Sequence, residues 1–299
     1  MLNVAFVTTC KGRREHLELT LPRNIADNAD YPAAKFIVLD YGSDDGLLNY
    51  LADKHLADIA SGRLVVYSFP SATRFNMAHA KNMAARCGIL EGADIIVTLD
   101  ADNYTGLGAA TFIDERMELF NRYAPTFLCP EFELIQSLPH GPLRPKRGYA
   151  GRLAIRAQDF IKAGGYCETF DTWRGEDIDL IARLRLMGFC ERHFENKHLR
   201  SVPHGSEMRF REYPHARQYE NKRELGIIEA RTDTVVNYGN IGVGWVYRNF
   251  SWYPIRLDPV PTRVFGIGMH KTATTSLHEA FKILGFDSLH WGTGEAPMI

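Results

Sequence analysis

The chain has 299 residues, of which 45% are hydrophobic and 24% charged, with a formal net charge of -1. That is an ordinary globular make-up, long enough for one large α/β domain or two smaller ones, and so even a charge balance argues against a nucleic-acid partner. The five cysteines (Cys10, Cys87, Cys129, Cys167 and Cys190) form no CxxC pair, the N-terminus MLNVAFVTTCKGRRE lacks a signal-peptide pattern and no run reaches the length of a membrane span; this argues against a disulfide framework and a zinc ribbon, and a cytoplasmic protein with reduced thiols is expected.

In chain order, Asn3 to Thr9 (NVAFVTT) is an apolar β-rich run, broken by Lys11-Gly12-Arg13-Arg14, and Leu17 to Asn28 has helical character. Phe36 to Asp40 (FIVLD) reads as a second strand, closed by the turn-rich Gly42-Ser43-Asp44-Asp45-Gly46. Leu47 to Ile59 reads as one helix and Leu64 to Tyr67 as a third strand. Met77, Ala80, Met83, Ala84 and Cys87 make a helical stripe within Asn76 to Leu90, and Asp94 to Leu99 (DIIVTL) is a fourth strand. This alternation predicts an α/β fold with a mostly parallel sheet flanked by helices, its near-continuous apolar strands buried on both faces. Ligands of such sheets gather at the carboxyl ends of the strands, where Thr8, Thr9, Asp40, Asp100 and Asp102 fall.

The next segments are less regular. Five prolines and several glycines between 125 and 151 predict a loop or an acceptor-side insertion. Arg152 to Arg156 reads as a short strand, Asp159 to Ala163 as a brief helix, and Glu176 to Met187 as a helix capped by Gly188. Phe189 to Phe194 reads as a further strand, residues 215 to 230 as a charged helix, and Val235 to Pro261 as an irregular tail. At Arg263 the pattern restarts as strand, loop and helix. The expected division is therefore 1–260, with a core of about 1–210 and a tail of 211–260, followed by 261–299.

Three groups of residues carry chemistry. Asp100-Ala101-Asp102 directly follows the fourth strand, and residues two apart on extended chain point the same way. Two carboxylates aimed together need a cation or a proton between them, and hard oxygen ligands suit Mn²⁺ or Mg²⁺. The plain alternative is a solvated strand-end turn; the position after a fourth parallel-type strand favours the metal. Glu176, Asp177 and Asp179 open a helix, where the macrodipole stabilises acids whatever their function. Lys271, Thr272, Thr274, Thr275 and Ser276 form a third group at the start of the last helix, where backbone amides favour an anion; the Walker order is absent.

Taken together, VTTCKGR, VLDYGSDDG, AHAKNMAA, VTLDADN and GGYCETFDTWRGEDIDL resemble, in order and spacing, the family-2 glycosyltransferases of GT-A fold over about the first 210 residues. The resemblance implies a nucleotide-diphospho-sugar transferase that moves a sugar from a UDP-sugar donor to a glycan acceptor hydroxyl with inversion. It places Thr8, Thr9 and Asp40 around uracil and ribose, Lys81 and Asn82 near the nucleotide, Asp100 by the ribose or sugar, and the metal on Asp102. Tyr41 departs from the pattern, since many members have a second acid there. Trp173-Arg174-Gly175-Glu176-Asp177 resembles the W-G-x-E-D signature of inverting galactosyl- and hexosaminyltransferases, which implies Asp177 as general base, Glu176 as an acceptor-hydroxyl partner and Trp173 as a wall against the acceptor. Asp179 reads as structural. His204 is either a further metal ligand or an ordinary polar residue, and Arg209 and Arg211 are either a diphosphate clamp or a solvated basic run.

Residues 263 to about 295 resemble the 5′-phosphosulfate loop of sulfotransferases, a partial P-loop-like strand-loop-helix too short for a whole domain. Two other readings follow: a glycosyltransferase-sulfotransferase fusion whose sulfation part is incomplete here, and a nucleotide-sugar-binding module without catalysis. The sequence carries no signal of oligomeric state.

Overall fold

A computed structural model of the chain describes residues 1–131, 134–136, 143–145, 151–170, 175–203 and 233–260. Residues 1–260 form one compact unit; 261–299 fall in a second, outside the described residues together with the charged helix expected at 215–230.

The first half of the unit is β1 (Val4–Cys10), α1 (Arg14–Asp27), β2 (Ala34–Asp40), α2 (Leu47–Lys54), α3 (Leu56–Ala60), β3 (Leu64–Ser68), α4 (Met77–Leu90), β4 (Ile95–Thr98), β5 (Asn103–Tyr104) and α5 (Ala109–Asn121). There follow β6 (Thr126–Cys129), β7 (Leu134–Gln136), β8 (Leu143–Pro145), β9 (Leu153–Arg156), α6 (Ala157–Lys162), α7 (Glu176–Leu186), β10 (Cys190–His193), β11 (Arg200–Ser201), β12 (Gly244–Arg248) and β13 (Pro254–Leu257). The main sheet has the order β10-β6-β9-β4-β1-β2-β3-β12-β13. Its centre, β4-β1-β2-β3, is parallel, and β9 and β12 run against the remaining strands. Seven-residue β1 pairs with β2 from Val4–Ala34 to Cys10–Asp40, so both strands finish level at one edge.

Period-two alternation divides the core. Val7, Ile37, Leu39, Val65, Ile96 and Phe127 pack under Met83 and Ala84 of α4, Phe160 of α6 and Leu180 and Leu184 of α7. Phe6, Val38, Val66, Val97 and Leu128 pack under Leu17 and Leu21 of α1, Leu51 of α2 and Ile113 and Met117 of α5. With both faces covered, the central strands are apolar along most of their length, which is why they read as near-continuous hydrophobic runs. Helix α4 lies unusually close to the sheet: a Cβ on Gly88 would fall 2.9 Å from Val7 Cγ1 and 3.0 Å from Ile96 Cδ1.

Four sequence expectations need correction. The helix over 47–59 is two helices, broken at His55, whose ring bonds to Asp58 (2.8 Å) and Tyr50 (3.2 Å). The loop expected over 125–151 contains β6, a strand of the main sheet flanked by Pro125 and Pro130, and the short β7–β8 pair. The tail expected from 235 contains the β12–β13 hairpin, which adds antiparallel to β3. The acids Asp100 and Asp102 do not lie on extended chain: Asn103 N donates to Asp100 O at 2.9 Å, closing a turn directly after β4.

Candidate active site

The strand order reverses between β1 and β4, since β1 continues to β2 and β3 on one side and β4 to β9 on the other. Chains leaving such neighbouring strands diverge to opposite sides, and a crevice opens at their carboxyl ends. Thr8 is buried and Thr9 half-buried at the end of β1. Asp40, at the end of β2, accepts from Ser43 N (2.8 Å), and burial raises its carboxyl above the ordinary range. Ser43 in turn accepts from Gly12 N (3.2 Å), Lys11 Nζ donates to Gly42 O (2.8 Å), and Arg14 N donates to Asp45 (2.8 Å). The loops after β1 and β2 are thereby fastened into one wall of the crevice.

The acidic turn is fastened as well. Thr20 of α1 donates to Ala101 O (2.7 Å), and Val202 N donates to Asp102 O (2.7 Å), continuing the antiparallel β5–β11 pair. A Cβ on Gly151 would sit 2.4 Å from Asp100 Oδ2, so only glycine lets this backbone lie against the Asp100 carboxylate. Asp100 and Asp102 remain two hard-oxygen donors on a backbone held from two sides, a donor set that fits Mn²⁺ or Mg²⁺.

The second acidic cluster meets the first through one ammonium. Lys81 Nζ, in the small-residue helix α4, lies 2.7 Å from Asp177 Oδ1, 3.0 Å from Glu176 Oε1 and 3.8 Å from Asp100 Oδ1. The Lys81 side chain is 5% exposed, Glu176 7% and Asp177 16%. Burial alone would lower the lysine, yet the carboxylates of Asp177, Glu176 and Asp100 outweigh it and hold it charged. Burial pushes the Asp177 carboxyl up to about 8; Lys81 opposes that rise, and the neighbouring Glu176 and Asp100 reinforce it. Three carboxylates around one ammonium retain surplus negative charge, which suits a proton or a second cation. The sequence resemblance points Lys81 to the nucleotide and carries no signal of this junction, whose partners lie 95 and 96 residues away.

Glu176 and Asp177 begin α7 behind Gly175, whose φ of 108° turns the chain into the helix. Asp179 points inward to Arg183 Nε (2.8 Å), both wholly buried, and Arg183 also donates to Ala163 O and Gly165 O. Asn82 is not placed for a ligand. It is fully buried; Nδ2 donates to Tyr166 O (2.8 Å) and Glu168 Oε1 (2.7 Å), and Oδ1 accepts from Tyr166 N (2.7 Å). Through these bonds it pins the loop that leads to the second cluster. Trp173, His204, Arg209, Arg211 and the group from Lys271 to Ser276 lie outside the described residues. All five cysteines are free thiols. No described helix is long and apolar enough to cross a membrane.

Comparison with known proteins agrees with this architecture. Residues 132–205 match the family model described as the N-terminal domain of galactosyltransferase, a stretch that includes the second acidic cluster. No curated protein matches the chain in sequence. Among solved structures, it is similar to the mannosyltransferase PcManGT from Pyrobaculum calidifontis, in complex with GDP-Man and Mn²⁺, with a TM-score of 0.51 and 17% identity over 77% of this chain and 68% of that one. It is also similar to TarS 1–349 from S. aureus in complex with UDP-GlcNAc, with a TM-score of 0.53 and 10% identity over 70% of this chain and 61% of the other. GalNAc-T7 with UDP, GalNAc and Mn²⁺ gives a TM-score of 0.51 and 13% identity over 77% of this chain and 50% of its own. The chain thus spans from half to about two thirds of the length of these proteins, and its first unit has the mixed α/β GT-A fold they share.

Proposed function

We propose that the chain is a metal-dependent glycosyltransferase that moves a sugar from a UDP-sugar to an acceptor hydroxyl with inversion, in glycan or polysaccharide synthesis. The observation that carries this reading is the gathering of Asp100, Glu176 and Asp177 around Lys81 at the switch-point crevice. The solved structures of like fold with nucleotide sugars and Mn²⁺, and the galactosyltransferase match across the second cluster, support it.

Thr8, Thr9 and Asp40 line the nucleoside end of the crevice, and Asp100 the sugar end. Asp102 holds the cation. His204 serves as a further ligand, a role supported by the delivery of Val202, two residues earlier in the chain, to the Asp102 carbonyl. When bound, Mn²⁺ or Mg²⁺ supplies Lewis-acid neutralisation of the leaving diphosphate. Lys81 occupies Asp177 Oδ1 and fixes its orientation, leaving Oδ2 for the acceptor hydroxyl. Asp177 takes the hydroxyl proton as the oxygen attacks the anomeric carbon, and Glu176 orients the acceptor. Trp173 flanks the acceptor sugar.

Residues 261–299 belong to this proposal as a sulfotransferase-like segment, its phosphosulfate-like loop formed by Lys271, Thr272, Thr274, Thr275 and Ser276. The test is Asp177→Asn against a panel of UDP- and GDP-sugars with Mn²⁺. Donor binding within a few fold of wild type, with transfer and donor hydrolysis lower by roughly 10²–10⁴, is the expected outcome. Near-normal turnover in the variant removes the general base, and wild-type binding without any turnover makes the chain a binding module.

A further inference from the structure

A second group of metal-ligating side chains lies at the other end of the sheet from β13. Edge strand β10 pairs in parallel with β6, and the register sets His193 opposite Cys129, the last residue of each strand. Glu191, two residues before His193, shares its face of the strand. The Cys129 sulfur, a Glu191 carboxylate oxygen and a His193 ring nitrogen all lie within 4.8 Å of one another. Among the described residues no other three ligand-type side chains converge in this way. β9 lies between β6 and β4, so the group is distinct from the acidic turn.

The chemistry of the three groups is selective. Sulfur, imidazole and carboxylate together suit Zn²⁺ and not the hard cations expected at Asp102. Zinc bond lengths of about 2.0–2.3 Å place tetrahedral ligand atoms roughly 3.3–3.6 Å apart. Cys129 Sγ already donates to Glu191 Oε1 at 3.3 Å, and His193 Nδ1 stands 4.0 Å from the same oxygen. A shift of up to roughly 1–1.5 Å by the half-exposed imidazole closes the set. Arg185 of α7 now bonds Glu191 at 2.6 and 3.0 Å, and its side chain is 53% exposed. The pair is bidentate, so an arriving cation must free at least one carboxylate oxygen from it, and the half-exposed guanidinium can then be taken up by water.

We propose that Cys129, Glu191 and His193 bind a zinc ion, with water in the fourth position, as a clip between β6 and the edge strand β10. Binding releases the thiol proton to solvent. The clip steadies the path from β10 through residues 194–199 to β11, the strand that braces the Asp102 turn.

The test uses the full chain freed of metal and titrated with Zn²⁺ against a competing chelator, then with Co²⁺ as the spectroscopic stand-in. One equivalent with a thiolate-to-cobalt charge-transfer band is expected. Cys129→Ser should abolish the band and weaken zinc binding by more than about tenfold, whereas Asp102→Ala should retain both. Should Cys129→Ser fail to fold, the exposed His193→Ala decides, with the same loss of affinity expected. No stoichiometric binding, a band that survives in Cys129→Ser, affinity unchanged in His193→Ala, or a loss confined to Asp102→Ala would each overturn the site.

Discussion

Replacing Lys81 by methionine keeps most of the unbranched side chain and deletes its charge. Glu176 and Asp177 then share a buried pocket without their ammonium, 3.0 and 2.7 Å away in the wild type. Removing one partner of a buried ion pair costs roughly 3–5 kcal/mol, and the burial of all three groups leaves little solvent to soften that. One relief is available. Asp177, raised to about 8, is mostly protonated at neutral pH and stays so without Lys81, which brings the cost towards the lower bound, about 3 kcal/mol. For a unit of this size, about 3 kcal/mol corresponds to a fall in Tm of roughly 6–12 °C. Urea unfolding of wild type, Lys81→Met, Asp177→Asn and the double variant, at pH 6 and pH 9, reads the effect. In the wild type, a raised Asp177 gives stability that is full below the unfolded carboxyl value of about 4 and is lost as pH rises through about 8. Without Lys81 the carboxyl rises further, so the Lys81→Met deficit must grow from pH 6 to pH 9. In the Asp177→Asn background the lysine should matter less, by about 1 kcal/mol or more. A deficit below about 1 kcal/mol, one that does not grow with pH, or strict additivity with Asp177→Asn would refute the junction.

Two further outcomes follow from the same site. If Asp177 is the base, kcat/KM should climb with pH towards about 8 and level off above it, because the carboxylate form is the active one; a flat profile across pH 6 to 9 would contradict the assignment. Gly151→Ala puts a methyl 2.4 Å from Asp100 Oδ2, so about 1–3 kcal/mol of stability should be lost by urea unfolding, with a larger fractional loss of metal-dependent turnover. Unchanged turnover there would mean that the position of Asp100 is immaterial.

The β1 to β4 half was legible in the sequence because each strand there is a long apolar run and the intervening helices have clean periodicity. β6 escaped because its four residues sit between Pro125 and Pro130, which read as punctuation. β12 and β13 escaped because glycine, aromatic and proline residues hide an antiparallel hairpin that gains its pairing from β3, far away in sequence. In the site, the acids announced themselves by position at a strand end and a helix start. The job of Lys81 did not, since it is defined by partners 95 and 96 residues away and no local pattern encodes that meeting. The hydrogen bonds of Asn82 were hidden for a similar reason: its partners Tyr166 and Glu168 lie 84 and 86 residues away in the chain.

The β12–β13 hairpin bears on how the protein can be dissected. Arg86 NH1 donates to Ile241 O, Gly242 N donates to Glu168 and the His79 ring bonds Val243 O, so the strand is led to its place by contacts with α4 and with the loop Asn82 pins. A fragment stopped near residue 210 would strip β3 of a neighbour and leave bare amides and carbonyls along a hydrophobic margin, an open invitation for another molecule's strand. The shortest piece expected to stay monodisperse therefore runs to Val260, some fifty residues beyond the stretch of about 210 that the sequence resemblance covers.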